Sequence, residues 1–420
     1  MTLQQMLAPA TGRAGAVRPV TVTRTVLGAV VLVSTIAPLA TDMYVPAFPR
    51  VGADFHTGAT QVQLTLTTFF VGMALGQLVG GPASDAHGRR RPLLAALAVL
   101  TIASLVCAFS PTVPVMMAAR FVQGLAGGWA MVTARGVVVD LADGPQLVRS
   151  LNLVAGGGGI APIVGPLLGA AIVQLTQWRV SFWAVAAMGA VMAAVVAAGV
   201  PESLPHELRH RGGVAELAHG VRDVAGNRHF VGYLVVMALS MGATFAYVAT
   251  SAFILEGMNR LSPLWYSVDF AGNAVGLTLT TLAAARLAGR VVTRQVIATG
   301  LAATAAAGVL LLAGALWWGM PLPLAVAGFL ILMSAQGLVG PNAGALASAS
   351  VADRSGTGSA MLGFFQWCAA GVVAPVAGRG GERTAVPMAL IVIALVAASA
   401  AALLVDAKRP HHDGGARARR

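Results

Sequence analysis

Residues 81–92 read GPASDAHGRRRP, and this polar stretch separates two long apolar segments of the chain. It combines a glycine–proline pair, an aspartate, a second glycine and a run of arginines. Because 57% of all residues are hydrophobic and only 10% are charged, we expect this cluster to occupy a short aqueous loop between two membrane spans.

The apolar content of the whole chain excludes an ordinary soluble domain. Mean hydropathy over the 420 residues is +0.78, whereas soluble proteins are only about half apolar. Apolar runs of about 20 residues recur along the chain, and each is long enough to cross about 30 Å of hydrocarbon. The sequence therefore predicts an all-α polytopic membrane protein with twelve transmembrane helices in two six-helix bundles.

The predicted spans fall into two groups of six on either side of the longest polar stretch. They cover residues 26–48, 62–82, 93–109, 113–138, 151–175, 182–200, 230–255, 264–285, 295–316, 321–346, 357–378 and 385–405. The predicted domains are a tail at 1–24, a bundle at 25–200, a linker at 201–228, a second bundle at 229–406 and a tail at 407–420. Two bundles joined by one linker can rock against each other.

The basic residues predict the orientation of the chain in the membrane. With the N-terminus inside, inner segments hold 21 of the arginines and lysines, including Arg135 at the inner end of span four. Outer loops hold 5, and Arg120 alone lies deep within a span. The positive-inside rule then places both termini, the linker and the loop at 81–92 in the cytoplasm. The net charge of +12 is scattered over these segments, so we expect no nucleic-acid partner.

The sequence gives no indication of a metal, a cofactor or a cleaved leader. Cys107 and Cys368 both fall in apolar spans, without the spacing of a disulfide framework or a metal site. Residues 1–24 lack the apolar core and small-residue cleavage site of a signal peptide. No catalytic triad or nucleotide-binding loop is present, so we expect neither an enzyme nor a receptor, and we expect a monomer.

The loop at 81–92 has two interpretations. Gly81 and Gly88 suit a backbone that ends a helix and reverses. Asp85 is the only acid beside Arg89, Arg90 and Arg91, so it can form an ion pair within the loop or between the domains. Alternatively, the arginines only anchor the loop at the cytoplasmic surface.

The spacing Gly-x-x-x-Asp-x-x-Gly-Arg-Arg resembles the loop between helices two and three of the major facilitator superfamily of transporters. This resemblance implies that the aspartate engages the start of helix eleven, at Ser355, Gly356 and Thr357, and that an arginine pairs with Asp140. The loop would then gate the cytoplasmic side.

The first span ends in the string TDMYVPAFP, which places Asp42 in apolar sequence. A charge inside a bilayer costs roughly 2.5–3.5 kcal/mol on insertion scales, so such residues usually face a cavity and have a function. Asp42 is thus a candidate proton carrier, unless it is an interfacial residue that caps the helix before Pro46. The string resembles the first-helix signature of the Bcr/CflA drug-resistance group, which favours the proton carrier.

Span four contains Arg120 and Gln123 in the string RFVQG, which is similar to the fourth-helix motif of proton-coupled antiporters. Because spans one and four run in opposite directions, Asp42 and Arg120 lie at comparable depth. An adjacent arginine would favour proton release from Asp42, and the alternative is an arginine that extends to the outer surface.

Span five contains Gly165, Pro166 and Gly169, whose spacing resembles the antiporter motif that marks exporters in the superfamily. Close helix packing without any relation to export is the alternative. Asp269, in span eight, is either a second titratable site or an interfacial acid, and the sequence does not decide between these.

These features predict a proton-driven antiporter that exports small amphipathic drugs from a bacterial cytoplasm, with the proton gradient as its energy source. The alternative is a proton-coupled symporter that imports a small metabolite. The resemblance implies a cavity between helices one, four, seven and ten. The candidate lining residues are Asp42, Met43, Tyr44, Gln123, Phe245, Tyr247, Ser251 and Gln336.

Overall fold

A computed structural model describes residues 23–142, 144–209, 214–287, 290–351, 355–381 and 383–407, and every long element in these ranges is a helix. The first half of the chain contains α1 (Arg24–Asp42), α2 (Phe48–Asp54), α3 (Ala59–His87), α4 (Arg90–Ala108), α5 (Val113–Leu141), α6 (Gly144–Leu175) and α7 (Arg179–Gly199). The second half contains α9 (Arg228–Ala252), α10 (Pro263–Leu287), α11 (Thr293–Trp317), α12 (Leu322–Ala349), α13 (Ser355–Ala377) and α14 (Val386–Ala407). A shorter helix, α8 (Val214–Gly226), lies between the halves.

The prediction of a polytopic all-α protein is confirmed. Eleven helical segments in the described ranges are long and apolar enough to cross a membrane. The remaining predicted span lies in α6, a 32-residue helix with an apolar segment at Gly159–Leu175. Together they give the twelve-helix arrangement expected from the sequence.

The two ends of the helical bundle carry different connections. We call the end with the turn between α3 and α4 the linker end, because residues 201–209 contact this turn there. We call the opposite end the far end. It contains α2 and a short π-helix, Phe253–Met258, that continues α9.

Glycines set the close contact of α3 with α5. A Cβ atom on Gly72 would lie 2.2 Å from the carbonyl oxygen of Phe121, and one on Gly76 would lie 2.1 Å from that of Leu125. A Cβ on Gly124 of α5 would lie 2.0 Å from the carbonyl oxygen of Phe69 on α3. The two backbones therefore touch, as small residues allow in membrane helices.

The prediction that residues 81–92 form a loop is wrong over most of its length. Gly81 and Asp85 lie inside α3, which continues to His87, and only Gly88 adopts a positive φ, of 87°. The ion pair between Asp85 and Arg89, at 2.6 Å and spaced i to i+4, supports the helical conformation here. The polar residues thus project from the end of a helix, and Gly88 alone makes the reversal.

The first predicted span is interrupted near the far end, although the helical segment as a whole continues to Asp54. Helix α1 stops at Asp42, and a 3₁₀ turn at Val45–Ala47 leads into α2. Pro46 explains the break, because it lacks the N–H that would continue the helix to the carbonyl of residue 42. Asp42 is therefore the last residue of α1.

The predicted linker contains a helix that the sequence analysis did not identify. Val224 of α8 is buried with Phe230, Val351 and Leu362, so α8 packs on the starts of α9 and α13.

Candidate functional site

A cavity of about 460 Å³ lies between the two halves of the molecule. Its wall combines residues of α1 and α6 with residues of α9, α10, α12 and α13. The larger apolar side chains in the wall are Met237, Met241, Phe245, Val248, Phe270, Leu277, Met333 and Trp367. The polar ones are Thr41, Asp42, Ser240, Thr244, Thr278, Gln336 and Gln366. Among the residues that line the cavity, Asp42 is the only one with a charged side chain.

Three of the predicted lining residues, Asp42, Phe245 and Gln336, contribute to this wall. Gln336 is held in place by two neighbours, because it accepts a hydrogen bond from Ser240 and donates one of 3.1 Å to Thr304.

Two further predicted residues, Met43 and Tyr44, are buried in the first half instead of lining the cavity. They follow the break in α1, so their side chains turn away from the cavity. The Tyr44 hydroxyl forms a hydrogen bond of 2.9 Å with Thr65 of α3.

Gln123, Tyr247 and Ser251 are also buried, and none of them lines the cavity. Gln123 donates to Ser104 of α4, within the first half, and helix α5 contributes no residue to the wall. The Ser251 hydroxyl lies 3.0 Å from that of Tyr266. These side chains rotate into the helix interfaces of their own halves, which helix periodicity alone could not decide.

Asp42 lies at the end of α1 with 6% of its surface exposed. Its carboxyl group lies in the cavity wall and forms no hydrogen bond or ion pair with another described residue. An ionised carboxylate in such surroundings lacks the partners that stabilise a buried charge, so the site favours a bound proton or a polar ligand.

The glycines of the α6 motif support Asp42 directly. A Cβ on Gly165 would lie 2.9 Å from the Cβ of Asp42, and one on Gly169 would lie 2.3 Å from the carbonyl oxygen of Met43. The carbonyl of Pro166 accepts a hydrogen bond of 2.9 Å from Ser267 on α10, in the other half. The motif therefore brings α6 against the last turn of α1 at the junction of the two halves.

We expect Gly169→Ala to displace the last turn of α1, because the new methyl group would meet backbone atoms of Met43. Overpacking of this kind costs about 1–3 kcal/mol. The expected result is a lower thermal midpoint in detergent and a lower transport rate per inserted molecule. Gly28→Ala on α1 is the control, since nothing lies within 4 Å of its Cβ position and it does not line the cavity. Equal effects of the two changes would contradict the prediction.

Arg120 does not form an ion pair with Asp42, and its predicted effect on proton release from Asp42 stays a prediction. No ion pair within 4.0 Å joins these two described residues; instead Arg120 donates to the carbonyl of Ala40 at 3.2 Å and to Gln123 at 2.6 Å. Its guanidinium carbon lies 4.2 Å from the ring centre of Phe69 and 5.0 Å from that of Tyr44.

This arrangement places the cation of Arg120, a fully buried residue, at the carboxyl end of α1. Helix carboxyl ends and aromatic faces both attract a positive charge. Arg120 therefore fixes the α1 turn that carries Asp42, without contacting its carboxyl group.

Asp269 lies outside the cavity wall. Its carboxylate accepts a hydrogen bond of 2.9 Å from Asn273, which also donates to the hydroxyl of Tyr247 at 3.0 Å. These contacts form a separate polar cluster between α9 and α10, and whether Asp269 titrates stays a prediction.

A second polar cluster surrounds Arg89 at the linker end. Its Nε lies 2.9 Å from Asp140 of α5, while Nη1 lies 2.6 Å from Asp85. Burial by itself would lower the pKa of Arg89, but the hydrogen bond to Asp140 and the charges of both acids outweigh it and hold that pKa above its ordinary value. Ser203 of the linker donates a hydrogen bond of 2.8 Å to Asp140.

The sequence analysis missed Glu202, which completes this cluster. Its carboxylate accepts hydrogen bonds from the backbone N–H groups of Arg89, at 2.7 Å, and Arg90, at 3.3 Å. A Cβ on Gly88 would lie 2.6 Å from the same carboxylate. Glu202 thus attaches the linker to the amino end of α4, where free N–H groups and the helix dipole attract an anion. The position of Glu202 just after the end of a span does not by itself predict this contact.

The predicted contact of Asp85 with the start of helix eleven, which is α13 in the structure, stays a prediction. The side chains of Ser355 and Gly356 lie outside the described residues, and Thr357 packs against Gly220 of α8. Asp85 itself has 46% of its side chain exposed and pairs with Arg89.

Comparison with known proteins identifies the family. The family model described as the Major Facilitator Superfamily matches residues 30–375. The chain belongs to the major facilitator superfamily. The superfamily identification made from residues 81–92 is therefore confirmed.

Two relatives and one solved structure extend this result. The chain is 31% identical to the "Uncharacterized MFS-type transporter YdgK" of Bacillus subtilis, over 86% of this chain and 90% of the relative. It is 27% identical to the "Bicyclomycin resistance protein homolog" of Haemophilus influenzae, over 87% and 93%. A D-xylose–proton symporter shares the fold with a TM-score of 0.73, at 16% identity and over 93% of this chain and 99% of the symporter. The bicyclomycin-resistance relative agrees with the Bcr/CflA resemblance, and this major facilitator protein is a multi-pass membrane transporter.

Proposed function

We propose that this transporter is a proton-coupled antiporter that exports small amphipathic drugs across the plasma membrane of a bacterium. The observation that carries the proposal is the largely apolar cavity between the halves, whose wall contains one carboxyl group, Asp42. An apolar pocket with few polar groups suits poorly hydrated compounds. A relative named for bicyclomycin resistance supports a drug as the substrate.

The distribution of basic residues supports a cytoplasmic linker end, with both termini inside the cell. The cavity extends along α12 to Gly344, five residues before this helix ends at the linker end. At the far end, Gln63 of the first half donates a hydrogen bond of 2.7 Å to the carbonyl of Ala249 in the second. The rings of Phe48 and Phe253, 5.8 Å apart, close the same seam. This arrangement fits the cytoplasm-facing state of alternating access.

Asp42 would exchange its proton for the drug. In the outward-facing state it binds a proton from the exterior, and in the inward-facing state it releases this proton as the drug enters the cavity. One proton moving inward gains about 2.3 kcal/mol per 100 mV. Exchange for a neutral drug uses this full voltage, whereas exchange for a monovalent cation is electrically silent. A single cavity carboxyl therefore favours neutral compounds, of the phenicol or bicyclomycin kind.

The direction of flux tests export against import. In inverted membrane vesicles with an acidic lumen, we expect an antiporter to accumulate bicyclomycin or a phenicol as protons leave. Vesicles without a pH gradient are the control. Loss of a preloaded substrate together with the protons would instead identify an importing symporter and would contradict the proposal.

The class of substrate is tested by resistance. Cells that produce the protein are compared with cells that produce the Asp42→Asn variant on a panel of antibiotics. We expect protection against one group of neutral compounds, and this protection should be absent from the variant.

A further inference from the structure

A further acidic side chain, Glu256, lies in the membrane-spanning part of the chain and has no role in the site described above. It belongs to the π-helix Phe253–Met258, which extends α9 at the far end. Its Oε1 atom is buried and has no hydrogen-bond partner among the described residues. Single π-helical turns are rare and frequently mark functional sites, and a buried carboxylate without donors is costly.

Glu256 lies next to the seam that closes the far end. Phe253, three residues before it, packs against Phe48 of the first half. Gln63 of the first half binds the carbonyl of Ala249, two helical turns before it. Glu256 itself is partly exposed, but its Oε1 atom is buried next to this seam, so separation of the two halves at this end would let water reach that atom.

The charged groups around Glu256 leave its carboxylate incompletely compensated. Arg50 of α2 attracts it, but Arg50 donates to the carbonyl of Val173, and no ion pair within 4.0 Å joins Arg50 to Glu256. The other charged residue of α2, Asp54, is paired with Arg179.

The other helices that pack closely against this π-helix are α9, α10 and α12. From α10, Tyr266 interacts electrostatically with Glu256, and its hydroxyl is hydrogen-bonded to Ser251 of α9. Asp269 is one turn further along α10 and is bonded to Asn273. The sequence of α12 contains no titratable residue. No donor from these helices compensates the Oε1 atom.

We propose that Glu256 is a second proton-binding site of the transport cycle, and that it must be protonated before the far end closes. The inference rests on the proposed proton-coupled function. When the far end is open, water stabilises the ionised carboxylate; when the halves close over it, the neutral acid is the better fit. An acidic exterior therefore favours closure, and deprotonation of Glu256 favours opening towards the exterior.

The test measures the distance across the far end directly. Spin labels are attached to cysteines introduced at two exposed positions, Gln61 of the first half and Arg383 of the second. Cys368 is replaced by serine to prevent labelling there, whereas Cys107 is buried and is left in place. The protein is reconstituted in lipid nanodiscs, and the label distance is measured as the pH is raised. We expect the labelled protein to shift from a short to a longer distance with rising pH.

Glu256→Gln is expected to keep the short distance at every pH, because a neutral amide replaces the neutral acid. Glu256→Asp retains a titratable group and should keep the pH response, and it serves as a second variant if the first does not fold. Glu207→Gln is the control, since Glu207 is an exposed acid of the linker. An unchanged pH response in Glu256→Gln, or a response abolished only by Asp42→Asn, would overturn the proposal.

This measurement needs no drug. If the protein exports no antibiotic, the proposed function fails, whereas the distance experiment still reports whether Glu256 controls the far end. Conversely, if export persists at full rate while Glu256→Gln shows the normal pH response, only the role of Glu256 is rejected.

Discussion

The Asp42→Asn variant is expected to lose uphill drug export while retaining downhill exchange of the same drug. Asparagine has nearly the size of aspartate, so it preserves the contact with Gly165, but it cannot bind and release a proton. One proton contributes about 2.3 kcal/mol per 100 mV, which corresponds to roughly a 50-fold concentration ratio at 1.4 kcal/mol per tenfold. We expect this accumulation ratio to fall to about one.

The measurement uses proteoliposomes with an imposed pH gradient and voltage, and with the drug on both sides for the exchange assay. Glu207→Gln is the control, because Glu207 is an exposed acid of the linker and its loss should leave the accumulation ratio unchanged. Full uphill transport by Asp42→Asn would refute the role of Asp42. Loss of both uphill transport and exchange would show that Asp42 has another role, such as binding the drug.

Breaking the Arg89–Asp140 pair is expected to have the largest effect on stability. The two side chains have 12% and 14% of their surface exposed, and removing one partner from a buried pair costs about 3–5 kcal/mol. We therefore expect Arg89→Gln and Asp140→Asn each to lower the thermal midpoint in mild detergent by a clear margin. The double variant should lose less than the sum of the two, because neither charge is then left without its partner.

The ion pair between Arg179 and Asp54 at the far end is the control. Its side chains have 29% and 44% of their surface exposed, and exposed pairs are worth about 0–1 kcal/mol. Arg179→Gln should therefore change the thermal midpoint little. If Arg179→Gln and Arg89→Gln lowered the thermal midpoint equally, burial would not make the Arg89–Asp140 pair more stabilising than the exposed pair.

Much of the fold follows from local sequence properties. A helix must supply about 20 apolar residues to cross the hydrocarbon, and its own hydrogen bonds satisfy the backbone, so the spans can be identified one at a time. The errors are at helix ends. The low hydrophobicity of residues 81–87 predicts a loop, but in the structure they are the last turns of α3. The ion pair of Asp85 with Arg89 allows this helix to continue beyond the apolar segment.

The candidate site was only partly predictable. Asp42 could be identified because an acid in an apolar span is exceptional. The surroundings of Asp42 could not be predicted, because Arg120 instead binds the carbonyl of Ala40 and lies over the ring of Phe69. Glu202 was missed because its partners are backbone N–H groups more than 100 residues earlier in the chain.

The sequence by itself determined the membrane-spanning class, the number of membrane spans and the family, because hydrophobic length and short motifs are properties of contiguous residues. Only the tertiary structure decided which side chains face the cavity, where α1 ends relative to α6, and that the Oε1 atom of Glu256 is buried at the far end. The physical reason is that these features depend on helix rotation and on contacts between distant segments. A shift of one residue in a helix turns a side chain by about 100°, from the cavity into the protein interior.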